Sequence, residues 1–288
     1  MSEVDLRETL KLEQLEVNLF RGTTPDTRTG RIFGGQVIAQ SLLAAYATVE
    51  GRVCHSLHCY FLRPGDPKIP IIFEVDRSRD GHSFTTRRVV AIQHGKQIFN
   101  FAASFQLVED GFDHQAQMPQ TPDPEGLPGL AETFGRMETE LGATPPRPDD
   151  YVNPIDIRFA DIPLDQKPEE KLPPYQRAWF RVRCPLGDDP VWHQAAMAYA
   201  SDLGLMATAL RPHGSLWHSP QLQGASLDHA MWFHRPTDFS QWHLYEMDSP
   251  SASGGRGINR GTIYRQDGTL VATDAQEGLI RWRGERPG

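Results

Sequence analysis

Two short segments of this chain recur in the same order and at nearly the same spacing. Phe61-Leu-Arg-Pro64 returns as Phe233-His-Arg-Pro236, 172 positions later, and Gln93-His-Gly95 returns as Gln266-Asp-Gly268, 173 positions later. Each Gln-x-Gly segment lies between β-rich runs, a pattern that predicts a hairpin. Two repeats at nearly one offset and in matching contexts indicate an internal duplication, so we expect the 288 residues to build one fold twice.

Prolines mark the region between the two copies. Twelve of the 23 prolines lie between Pro119 and Pro174. Because proline removes a backbone donor and fixes φ, this stretch is expected to be mostly a connecting segment over the surface, with a short helix near residues 131–141 and a strand near residues 155–159. We therefore divide the chain into an N-terminal unit at residues 1–110, a Pro-rich connection at residues 111–174 and a C-terminal unit at residues 175–288.

Each copy combines one apolar helix with a series of strands. The Leu- and Ala-rich helix predicted at residues 37–47 is apolar around most of its circumference, so it must be buried on nearly all sides. The pattern predicts strands at residues 53–61, 69–76, 83–93 and 97–106. The second copy repeats this plan with a helix near residues 191–206 and strands at residues 221–233, 242–247, 257–265 and 270–281.

An antiparallel sheet can hide such a helix only by wrapping around it. The prediction is an α+β double hotdog, in which a long buried helix wrapped by an antiparallel sheet occurs twice. A sheet that continues from one half into the other would also remove an exposed edge.

Composition excludes several classes of function. The chain has 29 Lys and Arg against 37 Asp and Glu, a net charge of -8, so we expect no nucleic-acid partner. The apolar helix falls far short of the roughly 20 residues that span a membrane, and the charged amino terminus lacks a secretory signal, so we expect no membrane insertion. Three cysteines without a C-x-x-C spacing indicate reduced thiols in a cytoplasmic protein.

The familiar catalytic motifs are missing or incomplete. No phosphate-binding G-x-x-x-x-G-K-[ST] occurs, and Gly224-Ala-Ser-Leu-Asp228 has Asp where a nucleophile elbow has its second Gly. His55 and His58 stand three apart on a predicted strand, so their rings face opposite sides and cannot readily share a metal. We therefore expect neither a metal nor another cofactor.

Asp202 is the only charged side chain in the apolar run from Met197 to Met206. The run predicts a helix, and a carboxylate late in a helix opposes the helix dipole. If it is buried, it must be hydrogen-bonded and its pKa can be displaced. The residues alone leave a turn or C-cap role for Asp202 as open as catalysis, and they assign no role to Ser226 or Gln276.

The chain closely resembles the bacterial acyl-CoA thioesterase II family, which also occurs as peroxisomal acyl-CoA thioesterases. The family is known as a double hotdog, in agreement with the duplication. The matching segments follow the family order over nearly the whole chain: Phe33-Gly-Gly-Gln36, His55-Ser-Leu-His-Cys-Tyr-Phe-Leu-Arg-Pro-Gly-Asp66, Arg79-Asp-Gly-His-Ser-Phe84, Ala103-Ser-Phe-Gln106, Tyr199-Ala-Ser-Asp-Leu203, Ser226-Leu-Asp-His-Ala-Met-Trp-Phe-His-Arg-Pro236 and Gln276-Glu-Gly278.

The resemblance implies a hydrolase that splits acyl-CoA thioesters into free fatty acid and coenzyme A. It places the catalytic residues at Asp202, Ser226 and Gln276. Asp202 would accept a proton from the attacking water, while Ser226 and Gln276 would hold that water in line with the carbonyl. Some members carry Thr where this chain has Ser226, and either residue offers one hydroxyl.

Further residues are expected to contact the acyl-CoA substrate. Backbone amides at a helix amino terminus are candidate oxyanion donors, and basic side chains are candidates for the CoA phosphates. Two alternatives stay open, namely hydration of an enoyl-CoA, which would use His58, and non-catalytic acyl-CoA binding. We also expect a homo-oligomer, either a dimer or a tetramer. The candidate substrate-binding residues are Gly34, Gly35, Gln36, His58, Arg63, Arg87 and Arg235.

Overall fold

The computed structural model describes most of the chain, and its elements follow the predicted duplication. The described residues are 5–24, 30–133, 153–162, 170–215, 217 and 219–284. The first half contains α1 (Leu6–Leu10), β1 (Leu12–Glu16), β2 (Leu19–Gly22), α2 (Gly34–Tyr46), β3 (Val53–Phe61), β4 (Ile71–Asp80), β5 (Phe84–Gln93) and β6 (Lys96–Gln106).

The second half repeats the sequence of one helix followed by strands. A 3-10 turn, Pro124–Gly126, lies in the connection between the halves. The elements that follow are β7 (Ile155–Phe159), β8 (Tyr175–Val182), α3 (Pro190–Ala200), a 3-10 helix (Leu205–His213), β9 (Leu222–Ser226), β10 (Asp228–Phe233), β11 (His243–Ser253), β12 (Arg256–Arg265) and β13 (Leu270–Trp282).

The α2 helix is buried almost all round, as its apolar circumference predicts. Ten of its 13 residues are buried, including the polar Gln40 and Ser41. α2 packs against α3, and strands of the first half also contact it. The helices therefore share the core beneath the sheet, and the predicted α+β double hotdog is confirmed.

One antiparallel sheet of 13 strands continues through both halves, in the order β1-β2-β4-β5-β6-β3-β10-β13-β12-β11-β8-β7, with β9 paired to β13. The halves join where β3 pairs with β10, and Ala230 stands opposite His58 at the centre of that pairing. These two residues are 172 positions apart, the offset of the repeat. A pseudo-two-fold axis therefore passes through this pair, and the joined strands leave no sheet edge between the halves.

The second copy differs from the prediction at several places, since β8 (Tyr175–Val182) was not predicted and β11 continues past residue 247 to Ser253. The helix predicted at residues 191–206 ends at Ala200, because Ser201 caps it and Gly204, at φ +80°, takes a left-handed conformation before the 3-10 helix. Asp202 consequently lies in a turn and not late in a helix. The strand predicted at residues 221–233 is interrupted at Leu227, which separates β9 from β10.

The connection contributes one strand to the second half. β7 forms where a strand was predicted, and it pairs with β8 at the end of the sheet. The helix predicted at residues 131–141 lies largely outside the described residues. Across the residues that are described, no helix is long and apolar enough to span a membrane.

Candidate active site

Three separate elements of the second half bring Asp202, Ser226 and Gln276 together. Ser226, at the end of β9, donates its hydroxyl to Asp202 Oδ1 at 3.2 Å. Gln276, in β13, donates from Nε2 to the same oxygen at 2.5 Å. The pairing of β9 with β13 places Ser226 opposite Gly278, close to Gln276 along the strand. The residues that the resemblance selected thus form one hydrogen-bonded cluster around a carboxylate.

The other oxygen of Asp202 faces the first half of the chain. Gly35, in the first turn of α2, donates its backbone N–H to Asp202 Oδ2 at 2.9 Å. A Cβ at Gly34 would lie 2.6 Å from that oxygen, and a Cβ at Gly35 would lie 2.3 Å from the carbonyl oxygen of Tyr199. The two glycines therefore permit a close approach that no side chain would allow. The positive end of the helix dipole also favours a carboxylate here.

Burial raises the pKa of Asp202 to about 6, and the hydrogen bonds from Gln276, Ser226 and Gly35 act in the opposite direction. Protein surrounds the carboxylate, although the residue keeps partial contact with solvent. A carboxylate with this pKa is ionised at neutral pH, and it is a better proton acceptor than an ordinary aspartate. The Asp202 carboxylate can therefore accept a proton more readily near neutral pH than an ordinary aspartate can.

Gln276 is 0% exposed, yet its Oε1 has no hydrogen-bond partner among the described residues. Buried amide oxygens are normally hydrogen-bonded, so an unpartnered one calls for an explanation. This acceptor belongs to the same side chain that donates to Asp202. The cluster thus offers a partly exposed carboxylate and hydroxyl that can hold a water molecule, next to an amide whose oxygen is buried and unpartnered in the described part of the chain.

Comparison with known proteins yields one family. Residues 161–279 match the family described as acyl-CoA thioesterase, and residues 23–106 match the acyl-CoA thioesterase N-terminal domain. Acyl-CoA thioesterase 2 of Haemophilus influenzae is 40% identical over 283 residues, which cover 95% of this chain and 96% of that protein. The chain belongs to the acyl-CoA thioesterase family.

Solved structures agree with this membership. The crystal structure of an acyl-CoA thioesterase II, TesB2, from Mycobacterium marinum is 45% identical, covers 97% of this chain and 99% of its own, and gives a TM-score of 0.79. A hot dog fold protein of unknown function from Alicyclobacillus acidocaldarius is 19% identical over 96% of this chain and 98% of its own, with a TM-score of 0.77. The second likeness supports the fold alone.

Within this family fold, Gln36 serves the packing of α2. It is buried, and its Nε2 donates to the carbonyl oxygen of Thr23 and to Thr24 Oγ1. Its backbone N–H bonds the carbonyl oxygen of Phe33. Since Gly35 donates to Asp202, two of the three amides that were candidate oxyanion donors already have acceptors within the protein.

His58 lies on the outer face of the sheet. It is exposed and packs edge-on against Trp232, with ring centroids 5.3 Å apart. Side chains alternate along β3, so the buried Cys59 points to the opposite, inner face. The structure therefore does not bring His58 to the Asp202 cluster.

The three candidate arginines make hydrogen bonds within the protein. Arg63 donates to the carbonyl oxygen of Gln97. Arg235 donates to the carbonyl oxygen of Leu270 and to Asp113 Oδ1, which ties the connection to the second half. Arg87 is 2% exposed, and its guanidinium bonds several acceptors on the first half. None of these bonds leads to Asp202.

The sequence analysis missed a second buried carboxylate, Asp274, which is 3% exposed and lies two positions before Gln276 on the same face of β13. Its run, from Leu270 to Ala275, is as apolar as the run around Asp202. The criterion that singled out Asp202, a lone carboxylate in an apolar run, would therefore have found it. Among the described residues, no group of three or more His, Cys, Asp or Glu side chains is arranged to hold a metal ion.

Proposed function

We propose that this chain hydrolyses acyl-CoA thioesters to free fatty acid and coenzyme A, by direct attack of a water molecule that Asp202 activates. The observation that carries the proposal is the convergence of Ser226, Gln276 and the Gly35 amide on one buried carboxylate. The similarity to acyl-CoA thioesterases over nearly the whole chain supports the substrate class.

In the first step, a water molecule held by Asp202 and Ser226 donates a hydrogen to Asp202, whose carboxylate Gln276 orients through its own donated hydrogen bond. The water oxygen then attacks the thioester carbonyl carbon as its proton passes to Asp202. This gives a tetrahedral oxyanion and a protonated Asp202. A base whose pKa lies near 6 accepts the proton readily and can return it in the next step.

In the second step, the tetrahedral intermediate collapses and its carbon–sulfur bond breaks. The coenzyme A thiolate leaves and takes the proton from Asp202, which restores the carboxylate. The fatty acid departs as its own carboxylate and releases one proton to solvent. No covalent bond to the enzyme forms at any stage, so Ser226 acts as a hydrogen-bonding group and not as a nucleophile.

The developing oxyanion needs a donor, and we assign this role to the backbone N–H of Gly34. The amides of Gly35 and Gln36 already bond Asp202 and Phe33. Gly34 is the first residue of α2, where the helix dipole favours negative charge. Its missing side chain also lets the backbone lie against the reacting group.

The test measures free thiol released from a series of acyl-CoAs of increasing chain length. Asp202→Asn keeps the shape but removes the proton acceptor, so we expect the rate to fall by about 10²–10⁴-fold while the variant stays folded. Asp248→Asn is the matched control, because that carboxylate pairs with Arg260 at the surface of the same half. Normal turnover by Asp202→Asn would overturn the assignment.

The same assay separates the two alternatives. Loss of enoyl-CoA absorbance without thiol release would indicate hydration, and binding without turnover would indicate a non-catalytic protein. The position of His58 on the outer face supplies no support for hydration.

The proposal extends to assembly and location. Tyr60 and Trp232, 58% and 38% exposed, form an aromatic patch with His58 beside the pseudo-two-fold axis. Exposed aromatic clusters of this kind mark interaction sites, which supports a homo-oligomer, either a dimer or a tetramer. The buried thiols of Cys54 and Cys59, each of which donates to a backbone carbonyl oxygen, support a cytoplasmic location. Analytical sedimentation of the wild type and of Trp232→Glu measures the oligomeric state. A monomeric wild type would exclude the proposed assembly.

A further inference from the structure

A second polar layer lies behind the Asp202 cluster and takes no part in the proposed chemistry. Tyr245 in β11 is fully buried, and its Oη lies 2.9 Å from the carbonyl oxygen of Ser201 and 2.9 Å from Asp274 Oδ1. Ser201 directly precedes Asp202 in the turn. The Tyr245 hydroxyl therefore links the turn that carries the base to a buried carboxyl group on β13.

The number of hydrogens on these groups decides which of the two contacts of Tyr245 can be hydrogen bonds at the same time. A tyrosine hydroxyl has one hydrogen, and a backbone carbonyl can only accept. If Tyr245 donates to Ser201, its second contact is a hydrogen bond only when Asp274 carries a proton on Oδ1 and donates it. If Tyr245 donates to an ionised Asp274, its oxygen faces the Ser201 carbonyl with no hydrogen between them. Only the protonated acid satisfies both contacts.

The other half of the molecule contains the same layer without polar groups. With the offset of 172, the first-half counterpart of Tyr245 is Phe73, and the counterpart of Gly261 is Val89. Along the last strand of each half the offset is 173, so the counterpart of Asp274 is Phe101. Strand pairing agrees, since Val89 stands opposite Phe101 as Gly261 stands opposite Asp274. All three first-half residues are buried apolar side chains.

The fold can therefore fill this layer with hydrocarbon. The polar version occurs in the half that carries Asp202. Gly261 makes the room for it, because a Cβ there would lie 2.3 Å from the Tyr245 ring and 2.4 Å from Asp274 Oδ1.

The groups around Asp274 leave an ionised carboxylate without a counter-charge. Tyr245 faces it from β11 and Asp202 from the turn after α3, while β10 and β12 present Met231 and Gly261 as its cross-strand neighbours. Two positions from Met231 on the same face of β10, His229 bonds Ser201 Oγ, and its burial lowers the pKa of His229 to about 3.

Burial also raises the pKa of Asp274 to about 8, the hydrogen bond with Tyr245 acts in the opposite direction, and the charge of Asp202 raises the pKa further. Its Oδ2 has no hydrogen-bond partner among the described residues. These surroundings favour the neutral acid that the hydrogen count requires.

We propose that Asp274 is a positioning residue that acts as a protonated carboxylic acid, donating to Tyr245 so that the Tyr245 hydroxyl holds the Ser201 carbonyl and fixes the turn that carries Asp202. The inference rests on the proposed role of Asp202 as the base. When Asp274 loses its proton, Tyr245 turns its hydrogen toward the new carboxylate. The turn then loses its bond, and a second negative charge appears behind the base.

The test compares pH profiles of thiol release. In the wild type, the rate should fall by about tenfold on the alkaline side as Asp274 ionises, the loss expected for one hydrogen bond. Asp274→Asn keeps an N–H donor for Tyr245 and cannot ionise, so we expect near-normal turnover at neutral pH and no alkaline fall. Asp274→Leu removes the donor and should be about tenfold slower across the whole range. Asp267→Asn, an exposed carboxylate of the neighbouring turn, should match the wild type.

A spectroscopic readout makes the test independent of turnover and of the folding of any one variant. Infrared difference spectra of the wild type should contain the carbonyl band of a protonated carboxylic acid that disappears at alkaline pH. Tyr245→Phe should shift this band, because it removes the partner, and Asp274→Asn should abolish it. An unchanged alkaline fall in Asp274→Asn, or a wild type without the band, would overturn the proposal. The band decides the protonation of Asp274 even in a chain that hydrolyses no acyl-CoA.

Discussion

In the first half, an arginine fills the place that corresponds to the Asp202 cluster, and no acid stands at the position of Asp202 itself. Asp202 is the second residue after α3, and Thr48 is the second residue after α2. The repeat offsets place Cys54 at the position of Ser226 and Ala103 at that of Gln276. Strand pairing supports this correspondence, since Cys54 stands opposite Phe105 as Ser226 stands opposite Gly278.

Arg87 fills the space that this change leaves. It stands opposite Ala103 in the sheet, as Asn259 stands opposite Gln276. Its guanidinium donates to Thr48 Oγ1 at 2.8 Å and to the Thr48 carbonyl oxygen at 3.0 Å, and it pairs with Asp80. At this place, the polar groups of the first half thus satisfy one another.

The second half leaves polar capacity unused, at Gln276 Oε1. The two sites have the same backbone arrangement, and they differ in whether their polar side-chain atoms have hydrogen-bond partners. A satisfied network stabilises a fold, whereas a buried, unpartnered acceptor beside a carboxylate costs stability and so points to a functional role. This comparison predicts that substitutions in the second half change activity more than stability, and that the reverse holds in the first half.

The largest effect is expected when a residue of the Asp202 cluster is replaced by its counterpart from the first half. Gln276→Ala, which copies Ala103, removes both the donor to Asp202 and the free acceptor. We expect the rate of thiol release to fall by about 10²–10³-fold, the scale of losing one positioned polar group in the transition state. Gln276→Glu is the informative control, because it keeps the acceptors and the shape but loses the donor. Normal activity in Gln276→Ala would show that the two sites do not differ in the way we describe.

A substitution in the first half should cost stability. Arg87→Met keeps the length of the side chain but leaves the Thr48 hydroxyl and carbonyl without their donor, so urea unfolding should show a loss of about 2–3 kcal/mol. The rate per folded molecule should stay normal, because Arg87 makes no bond to the Asp202 cluster. Arg87→Lys should recover only part of the stability, since an ammonium cannot reproduce the fork of the guanidinium. A large loss of kcat in a folded Arg87→Met would contradict the comparison.

The two halves also differ in how their stability depends on pH. Asp274, with a pKa near 8, occupies the position of the apolar Phe101. Its ordinary value is 3.8, so between these values the folded chain holds a proton that the unfolded chain releases, and stability falls as pH rises. Buried histidines with lowered pKa values, His229 and His243, act in the opposite direction below about pH 6.5.

The histidines contribute equally to the wild type and to Asp274→Asn, so the difference between the two proteins isolates Asp274. From about pH 6.5 to about 7.5 the free energy of unfolding of the wild type should fall by about 1 kcal/mol relative to that of Asp274→Asn, because one pKa unit is worth about 1.4 kcal/mol. Urea titrations of both proteins over the same interval measure this difference. An equal slope in both proteins would mean that Asp274 titrates normally.

Periodicity and turn residues were sufficient to predict β3 and the hairpins at the two Gln-x-Gly segments. They could not place the end of α3, because Ser201 and Gly204 stop the helix through a cap and a left-handed backbone. The Asp202 contacts were beyond any local pattern, because the Gly35 amide comes from 167 residues away. Only the family resemblance grouped Asp202, Ser226 and Gln276 in advance. It did not point to Asp274, and Arg87 was expected to contact the substrate, whereas it bonds Thr48.

The smallest effect is expected for Ser226→Thr, at the position where the first half has Cys54. Ser226→Thr keeps a hydroxyl that can donate to Asp202 and accept from water, so its rate should stay within about tenfold of the wild type, less than the worth of a positioned group. The rate of thiol release by Ser226→Ala should fall toward the rate of Gln276→Ala. A serine nucleophile needs a neighbouring base, most often a histidine, and Ser226 instead donates to a carboxylate that is itself hydrogen-bonded. Rapid-quench mass spectrometry should therefore find no acyl group on the chain and no burst of coenzyme A. An acyl ester on Ser226 would replace the direct-water mechanism with a covalent one, and it would make the hydroxyl the feature that separates the halves.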